Sequence, residues 1–388
     1  MNYFLNYQLI TLIFLLTFSC PTSETEKREE NRHDLSHIVV GYVTSWNEKE
    51  WGKDFERAKQ LTHINYAFAN VVDSLVVPES EEDKKAFIQL NALKKVNPDL
   101  KILISIGGWT WSAGFSDAVK TSSSRDKFAN SALGYMIRNS IDGIDLDWEY
   151  PGLPGNNNTH RPEDGENYVK VLTLIREKLD SVSSITQQEY LLTIAGGANK
   201  GYIEQVDMKR ISEQLDFVNL MTYDFHGGWE GKTGHHANMM PSESDNNDYI
   251  YSMERAIKQY MEDGAPAEKI VIGVPFYGRW WKGVVPINNG LYQNAGNQYG
   301  TLNFNIIQDS LIRSKGYDVR WDSSSQAPYI WDHSDSLFVS FETIKSLRLK
   351  TEYIKEQGLK GIMFWRLTGD DGELTETIFN EFSHASEK

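Results

Sequence analysis

The stretch GIDLDWEY, residues 143–150, alternates apolar side chains with carboxylates. Asp145, Asp147 and Glu149 lie two residues apart, so a β-strand would place all three on one face and the apolar residues on the other. Like charges at neighbouring positions on one face repel each other, and acids kept in such a row usually share protons or bind a metal. The stretch therefore predicts a half-buried strand that carries an active site, rather than a solvated strand face.

Length and composition limit the classes of protein that this chain can belong to. Its 388 residues are enough for one large barrel or for two ordinary domains. The net charge is −15 and no basic run is paired with aromatic residues, which argues against nucleic acid as a partner. The 11 tryptophans and 19 tyrosines suit a sugar-binding cleft, because such clefts use flat apolar faces with polar tips.

The N-terminus indicates export. Residues 1–20 contain an apolar segment from Leu9 to Phe18, too short to span a bilayer, and are interpreted as a signal peptide. Cys20, the only cysteine, ends this segment and resembles the lipidated cysteine of a bacterial lipoprotein, which would tether the protein to a membrane. The alternative is an ordinary secreted protein. Residues 21–36 are polar, without periodicity, and predict a flexible linker.

Eight β-branched, apolar runs recur along the rest of the chain, and segments with helical spacing of apolar residues separate them. The runs cover residues 37–46, 61–71, 101–109, 143–150, 190–197, 217–225, 269–279 and 361–369. This alternation predicts an α/β fold, a (β/α)₈ TIM barrel over residues 37–388. About 80 residues separate the last two runs. That is far more than a crossover needs, so we expect a small α+β insertion domain at about 281–340.

Active groups of such barrels collect at the carboxyl ends of the strands. The rule gathers residues from five of the runs at one mouth: Trp109, Asp147, Glu149, Tyr223, Asp224, Tyr277, Arg279 and Trp365. Acids, tyrosines and tryptophans around one opening favour a glycosidase, which needs a proton donor and stacking surfaces for a pyranose. His235 and His236 are adjacent in a loop without matched carboxylates, so we expect them to be exposed to solvent rather than to bind a metal.

The octet DGIDLDWE, residues 142–149, resembles the DxxDxDxE signature of the family-eighteen glycoside hydrolases, the chitinase family. Four further segments resemble that family in its order: SIGGW (105–109), MTYDFHGGWE (221–230), GVPFYGR (273–279) and GIMFWRLTGDD (361–371). The long insertion before the eighth strand is also similar to one found in the family. The resemblance covers roughly residues 37–380.

The resemblance implies a retaining mechanism in which the 2-acetamido group of the substrate replaces a carboxylate nucleophile. Glu149 would be the general acid and base, Asp147 would orient the acetamido group, and Asp145 would share a proton with Asp147. Tyr223 would hydrogen-bond the acetamido oxygen. Asp224 would contact the same sugar, and Trp365 would form the floor of the cleavage subsite. The adjacent subsites would be lined by Tyr42, Phe68, Trp109, Trp229, Tyr277 and Arg279.

The resemblance thus implies a chitinase that cleaves β-1,4-linked N-acetylglucosamine chains, with no cofactor or metal. Three alternatives remain open: a lectin for chitin oligosaccharides, an endo-β-N-acetylglucosaminidase of glycoprotein glycans, and a barrel enzyme in which the acids hold a hard cation. The presence of Glu149 argues against the lectin, because lectins of this family have lost that acid. We expect a monomer, either secreted or held as a lipoprotein at the outer surface or in the periplasm of a bacterium.

Overall fold

A computed structural model describes residues 35–45, 56–78, 80, 82–245 and 251–383. The expected signal peptide, Cys20 and most of the expected linker lie outside these residues. Ser36, at the end of that linker, donates both its amide and its hydroxyl to the carbonyl of Phe382, at 3.3 and 3.0 Å. The described fold therefore begins slightly before residue 37.

The predicted (β/α)₈ TIM barrel is confirmed. Fourteen strands are defined within the described ranges: β1 Ile38–Thr44, β2 His63–Val72, β3 Leu75–Pro78, β4 Lys101–Gly107, β5 Gly143–Asp147, β6 Leu191–Gly197, β7 Phe217–Met221, β8 Ile270–Pro275, β9 Tyr277–Lys282, β10 Gln298–Asn303, β11 Val319–Asp322, β12 Ala327–Asp332, β13 Leu337–Ser340 and β14 Gly361–Trp365. Eight of them, β1, β2, β4 to β8 and β14, pair in parallel, and the barrel closes because β1 pairs with both β14 and β2. β3 adds an antiparallel hairpin to β2 that the sequence pattern did not predict.

Helices cover the outside of the barrel. Their bounds are Asp83–Leu93, Gly108–Trp111, Phe115–Val119, Ser122–Arg138, Asp164–Thr186, Lys200–Gln205, Met208–Ser212, Met253–Glu262, Phe304–Ile306, Ile344–Gln357 and Glu373–Ser383. The longest helix buries Tyr168, Leu172, Ile175 and Leu179, whose spacing of three and four residues makes one apolar stripe against the sheet. None of the described helices is both long and apolar enough to cross a membrane.

An apolar cluster fills part of the barrel interior. Val40, Phe217, Val271 and Met363 are completely or almost completely buried there and pack as one cluster. Such filling makes the barrel a packed core and leaves the carboxyl ends of the strands as the place for chemistry.

A second sheet is inserted between β8 and β14. Its strands are antiparallel in the order β10-β9-β13-β12-β11, and they have a core of their own around Trp281, Trp331 and Phe338. This sheet begins at Tyr277, earlier than the expected residue 281. The seventh apolar run therefore spans two strands, and Tyr277 and Arg279 lie on β9 of the inserted sheet rather than on the seventh barrel strand. The run hides this break because β8 and β9 follow each other with only Phe276 between them.

Candidate active site

β5 places the acid row as its alternation predicts. Asp145 and Asp147 point into the barrel, with exposed fractions of 0% and 5%, and Glu149 follows two residues after the strand ends, at the mouth. Trp148 is fully buried on the other side, where it stacks on Phe115 with ring centroids 5.2 Å apart. The apolar face thus anchors the strand while the acids face the interior.

Asp145 is held by four hydrogen-bond donors. Oδ2 accepts from the hydroxyls of Tyr42 and Ser105, each at 2.8 Å. Oδ1 accepts from Thr193 Oγ1 at 2.6 Å and from Asn219 Nδ2 at 3.2 Å. Ser105 and Thr193 are the register neighbours of Asp145 on β4 and β6, so the parallel pairing itself delivers two donors. Burial raises the pKa of Asp145, but the donors counteract part of that rise by favouring the charged form.

Asp147 has a contrasting environment. Its Oδ1 is buried and has no hydrogen-bond partner among the described residues. Burial raises its pKa well above the usual range, and the neighbouring charges of Glu149 and Asp145 raise it further. Asp147 therefore binds a proton more readily than an ordinary aspartate, and no donor fixes that oxygen in one orientation.

The segment SIGGW lets the chain pass very close to Asp147. A Cβ added at Gly107 would lie 2.2 Å from the carbonyl oxygen of Asp147, and the φ of Gly107 is +108°. A Cβ added at Gly108 would lie 2.5 Å from the ring of Phe68. Only glycine fits at these two positions, which explains the motif in terms of close approach.

Glu149 has the pKa of a general acid. Burial raises its pKa to about 7; a hydrogen bond with Tyr150 acts against the rise, and the negative charge of Asp224 adds to it. Its backbone is fixed separately, because its amide donates to Ser112 Oγ at 2.9 Å and its carbonyl accepts from Asn158 Nδ2 at 3.3 Å. This pKa lets the carboxyl group both hold and release a proton near neutral pH.

Asp224 is the permanently charged acid of the site. Burial alone would raise its pKa, but the close His236 imidazole and the hydrogen-bonded Arg279 guanidinium hold the pKa well below the usual range. Oδ1 accepts from the Tyr277 hydroxyl at 2.7 Å and from Arg279 Nε at 2.6 Å, and His236 Nδ1 lies 3.5 Å away. The backbone is left-handed here, with φ +60° at Asp224.

The expectation that His235 and His236 are exposed to solvent is wrong. Both are fully buried beneath the inserted sheet, and His235 Nε2 lies 3.2 Å from Asp322 Oδ2. Carboxylates distant in sequence supply their partners, which a search of the local loop could not find. Nowhere in the described ranges do three or more His, Cys, Asp or Glu residues form a group that could hold a metal ion.

Trp365 is supported from below by two aromatic rings. Phe68 stacks under it at a centroid distance of 5.4 Å and an interplanar angle of 19°, and Tyr42 tilts against it at 5.6 Å. The exposed fractions of Tyr42 and Phe68 are 2% and 7%. These two residues therefore support Trp365 and Asp145 rather than line adjacent subsites as expected. Tyr223 turns its hydroxyl toward Met363 Sδ at 3.9 Å, a weak contact that leaves the hydroxyl open to a stronger acceptor or donor.

Two further predicted residues lie at the rim. Trp109 and Trp229 have exposed fractions of 53% and 60%, and the guanidinium carbon of Arg279 lies 4.6 Å from the ring centroid of Trp229. Arg279 thus links the charged centre at Asp224 to the aromatic rim.

The sequence reasoning missed the donors around the acid row, namely Ser105 in its true role, Ser112, Tyr150, Thr193 and Asn219. A signal for two of them exists in the sequence. Thr193 in YLLTIAGG and Asn219 in FVNLMTYDF each interrupt an otherwise apolar strand, and a buried polar residue on a strand requires a partner. Reading the runs for such interruptions would have placed both side chains inside the barrel.

A profile of the family "Glycosyl hydrolases family 18" matches residues 38–370. The chain belongs to glycosyl hydrolase family 18. It is 34% identical to chitinase A1 of Niallia circulans over 95% of this chain, and it spans 61% of the length of that relative. A solved family 18 N-acetylglucosaminidase from Paenibacillus barengoltzii superposes with a TM-score of 0.83 at 36% identity, covering 89% of this chain and 100% of that one. Chitinase ChiA74 from Bacillus thuringiensis gives 0.84 at 31% identity, covering 89% and 70%.

Proposed function

We propose that this family 18 protein is a chitinase that hydrolyses β-1,4-linked N-acetylglucosamine chains with retention of configuration. The observation that carries the proposal is the placement of Glu149 at the carboxyl end of β5 with a pKa of about 7, directly after two buried acids. A carboxyl group must be protonated at working pH to donate to a leaving oxygen, and this pKa meets that condition near neutrality.

In the first half of the reaction, Glu149 gives its proton to the glycosidic oxygen. The sugar whose anomeric carbon forms this bond attacks that carbon with its own acetamido oxygen. The bond between the anomeric carbon and the glycosidic oxygen breaks, and an oxazolinium ion forms. The carboxylate of Glu149 then takes a proton from water as the water attacks the anomeric carbon. This attack opens the oxazolinium ring and restores the acetamido group. Two displacements at one carbon restore the original configuration.

Asp147 orients and stabilises the reacting acetamido group. Its unpartnered Oδ1 is available to accept the acetamido N–H, and its raised pKa lets it hold a proton before substrate binds. Asp145, fixed by four donors, takes part of the proton sharing while its own position stays constant. The three acids titrate as a coupled group, so an observed pKa belongs to the set.

The remaining residues bind the same sugar and its neighbours. Tyr223 donates a hydrogen bond from its hydroxyl to the acetamido oxygen, and Asp224 contacts the same sugar. Tyr277 and Arg279 hold Asp224 in place through hydrogen bonds. Trp365, raised on its two supporting rings, forms the apolar floor of the cleavage subsite. Trp109 and Trp229 stack on sugars farther along the chain.

The test is hydrolysis of chitotetraose by the wild-type protein, followed by proton NMR of the first product formed. We expect the β-anomer first, with no cleavage of the fully deacetylated tetramer, which lacks the attacking oxygen. Formation of the α-anomer first, or equal cleavage of both tetramers, would refute the substrate-assisted mechanism.

A second candidate is the removal of single N-acetylglucosamine units, suggested by the similarity to the Paenibacillus barengoltzii enzyme, which is named an N-acetylglucosaminidase. The product pattern separates the two. A chitinase releases disaccharide or longer products from chitotetraose, whereas this candidate releases monosaccharide from the first turnover.

Export as a lipoprotein is the cellular part of the proposal. The apolar segment that ends at Cys20 supports it, and a secreted protein cleaved near that position is the alternative. Mass spectrometry of the mature N-terminus decides between lipoprotein and secreted protein, because acylated Cys20 would add the mass of its lipid.

We further propose that the enzyme acts as a monomer.

A further inference from the structure

The rim of the barrel mouth contains an aromatic side chain that does not belong to any of the motifs described above. Only three aromatic side chains are exposed in the part of the chain that the structure describes: Trp109, Trp229 and Tyr299. The first two lie in short helical turns that follow barrel strands β4 and β7. Tyr299 lies on β10, an edge strand of the inserted sheet, and 51% of it is exposed.

Tyr299 and Trp229 lie against adjacent glycines. A Cβ added at Gly228 would be 1.9 Å from Cδ2 of Tyr299, so the tyrosine ring lies directly on the backbone of that glycine. A Cβ added at Gly227 would be 2.0 Å from Cζ3 of Trp229, so the indole folds back over the backbone two residues before it. Two consecutive glycines therefore lie against the two rings, and any larger residue at either position would displace one of them.

The inserted sheet and the Trp229 loop are fastened together by backbone hydrogen bonds. The amide of Thr233 donates to the carbonyl of Gln293 at 2.9 Å, and the amide of Ala295 donates to the carbonyl of Gly231 at 3.0 Å. These bonds hold the loop of Trp229 against the segment that leads into β10, so the two rings do not lie on separate, unconnected loops.

The inner end of the same loop is anchored by charge. His226 lies between Glu230, at 2.8 Å from Nδ1, and Asp245, at 3.1 Å from Nε2. Burial opposes its protonation, but hydrogen bonds from the imidazole to both carboxylates raise the pKa of His226 to about 9. The histidine is therefore charged at neutral pH and holds Glu230, the neighbour of Trp229, against the protein.

We propose that Tyr299 forms, together with Trp229, an additional sugar-binding surface that makes the enzyme prefer longer oligosaccharides. The inference rests on the proposed chitinase function and specifies its substrate. Flat pyranose faces stack on exposed aromatic rings, and rings on connected segments can contact successive sugars. The inserted sheet thereby contributes a residue that binds substrate as well as a wall of the cleft.

The test compares kcat and KM of the wild type and Tyr299→Ala on chitotetraose and chitohexaose. We expect the variant to lose about three- to tenfold in kcat/KM on the hexamer through KM, a size typical of one aromatic contact, and to change less than about twofold on the tetramer. Tyr299→Phe keeps the ring and should retain the activity on the hexamer. An equal loss of kcat/KM on both substrates would show that Tyr299 only packs on Gly228 and does not bind the longer substrate. No loss on either substrate would also overturn the proposal.

Trp321→Ala is the matched control, because Trp321 lies on β11, the opposite edge strand of the same sheet, with Lys345 over its ring at 3.6 Å. It should leave the ratio of the two substrates unchanged. If the wild type cleaves neither oligomer, the proposed chitinase function fails on its own. Calorimetric titration of chitohexaose into wild type and Tyr299→Ala then still tests this inference: a weaker affinity in the variant supports it, and equal affinities overturn it.

Discussion

The floor and the rim of the barrel mouth differ in burial: the floor consists of buried acids and the rim of exposed aromatic rings. The floor of the mouth, as distinct from the Trp365 floor of the cleavage subsite, consists of Asp145, Asp147 and Glu149, which are buried or nearly so and whose pKa values all rise through burial. The rim consists of Trp109, Trp229 and Tyr299, each more than half exposed. Desolvated charges interact strongly over short distances, whereas exposed rings contribute mainly the apolar area that a ligand covers. The floor should therefore set the rate and the rim should set affinity and substrate length.

Asp145 and Asp147 make the same distinction within the floor. They lie two residues apart on one strand, yet one accepts four hydrogen bonds and the other has an oxygen without a partner. A carboxylate with four donors is fixed in place, whereas one with a free oxygen can turn toward a ligand. The two aspartates thus have the same side chain, but Asp145 is fixed and Asp147 is free to turn.

The largest effect is expected from Glu149→Gln. The amide cannot donate the proton that the leaving oxygen needs, so kcat on chitotetraose should fall by about 10²-fold or more while the dissociation constant changes little. Stopped assays with product chromatography and a calorimetric titration measure the two quantities. Glu163→Gln, a change of an exposed glutamate, is the control and should retain full activity.

Asp147→Asn should come next, with a loss of about tenfold to 10²-fold in kcat and little change in KM. The asparagine has the same shape but cannot carry the negative charge that balances the developing positive charge on the acetamido group. Initial rates over a range of chitotetraose concentrations measure both constants. Unchanged kcat in this variant would remove Asp147 from the chemical step.

The pH dependence tests the electrostatic coupling between Asp224 and Glu149. Glu149 must be protonated to act, so kcat/KM should decline as pH rises through about 7. The negative charge of Asp224 raises this pKa, and Asp224→Asn removes that charge. The descending limb of the profile in the variant should therefore move to lower pH. A limb that stays in place, or one that moves upward, would show that Glu149 does not feel this charge.

Thr193→Val should affect stability. The valine has nearly the same shape but removes the 2.6 Å hydrogen bond to the buried Asp145. The free energy of unfolding should fall by about 1–3 kcal/mol, because one acceptor site of a buried carboxylate loses its donor. Urea unfolding followed by tryptophan fluorescence measures the change. Thr173→Val, which removes only a hydroxyl bonded to a carbonyl of its own helix, is the control and should cost clearly less.

Trp229→Ala should have the smallest effect on the chemistry. The ring lies at the rim beside Arg279, so its loss should raise KM by about three- to tenfold and leave kcat within about twofold. The comparison of kcat with KM on chitohexaose provides the check. A large fall in kcat would show that the rim takes part in the chemical step and that the separation from the floor is false.

The barrel could be predicted from the sequence because its signals are local. Each parallel strand is buried on both faces and reads as an apolar run, and the acid row alternates with a period of two. The boundary of the inserted sheet could not be found in this way, because β8 and β9 form one continuous run in which Tyr277 and Arg279 belong to the second strand.

The chemical partners of the site were harder to predict than the acids themselves. Asp145 meets Tyr42, Ser105, Thr193 and Asn219 only because the barrel brings together the four strands that carry these donors. Similarly, the burial of His236 depends on the inserted sheet, which is far away in sequence. Motifs indicated the acids that we propose as reacting groups, but contacts between distant segments set their pKa values and their freedom to move.

The most direct test of the separation between floor and rim is a paired measurement on chitohexaose. The turnover number and the dissociation constant are determined for Glu149→Gln and for Trp229→Ala under the same conditions. The account predicts a crossed result: Glu149→Gln loses about 10²-fold or more in kcat with its affinity within a few-fold of wild type, and Trp229→Ala loses affinity with kcat nearly intact. Parallel losses of rate and affinity in both variants would contradict it.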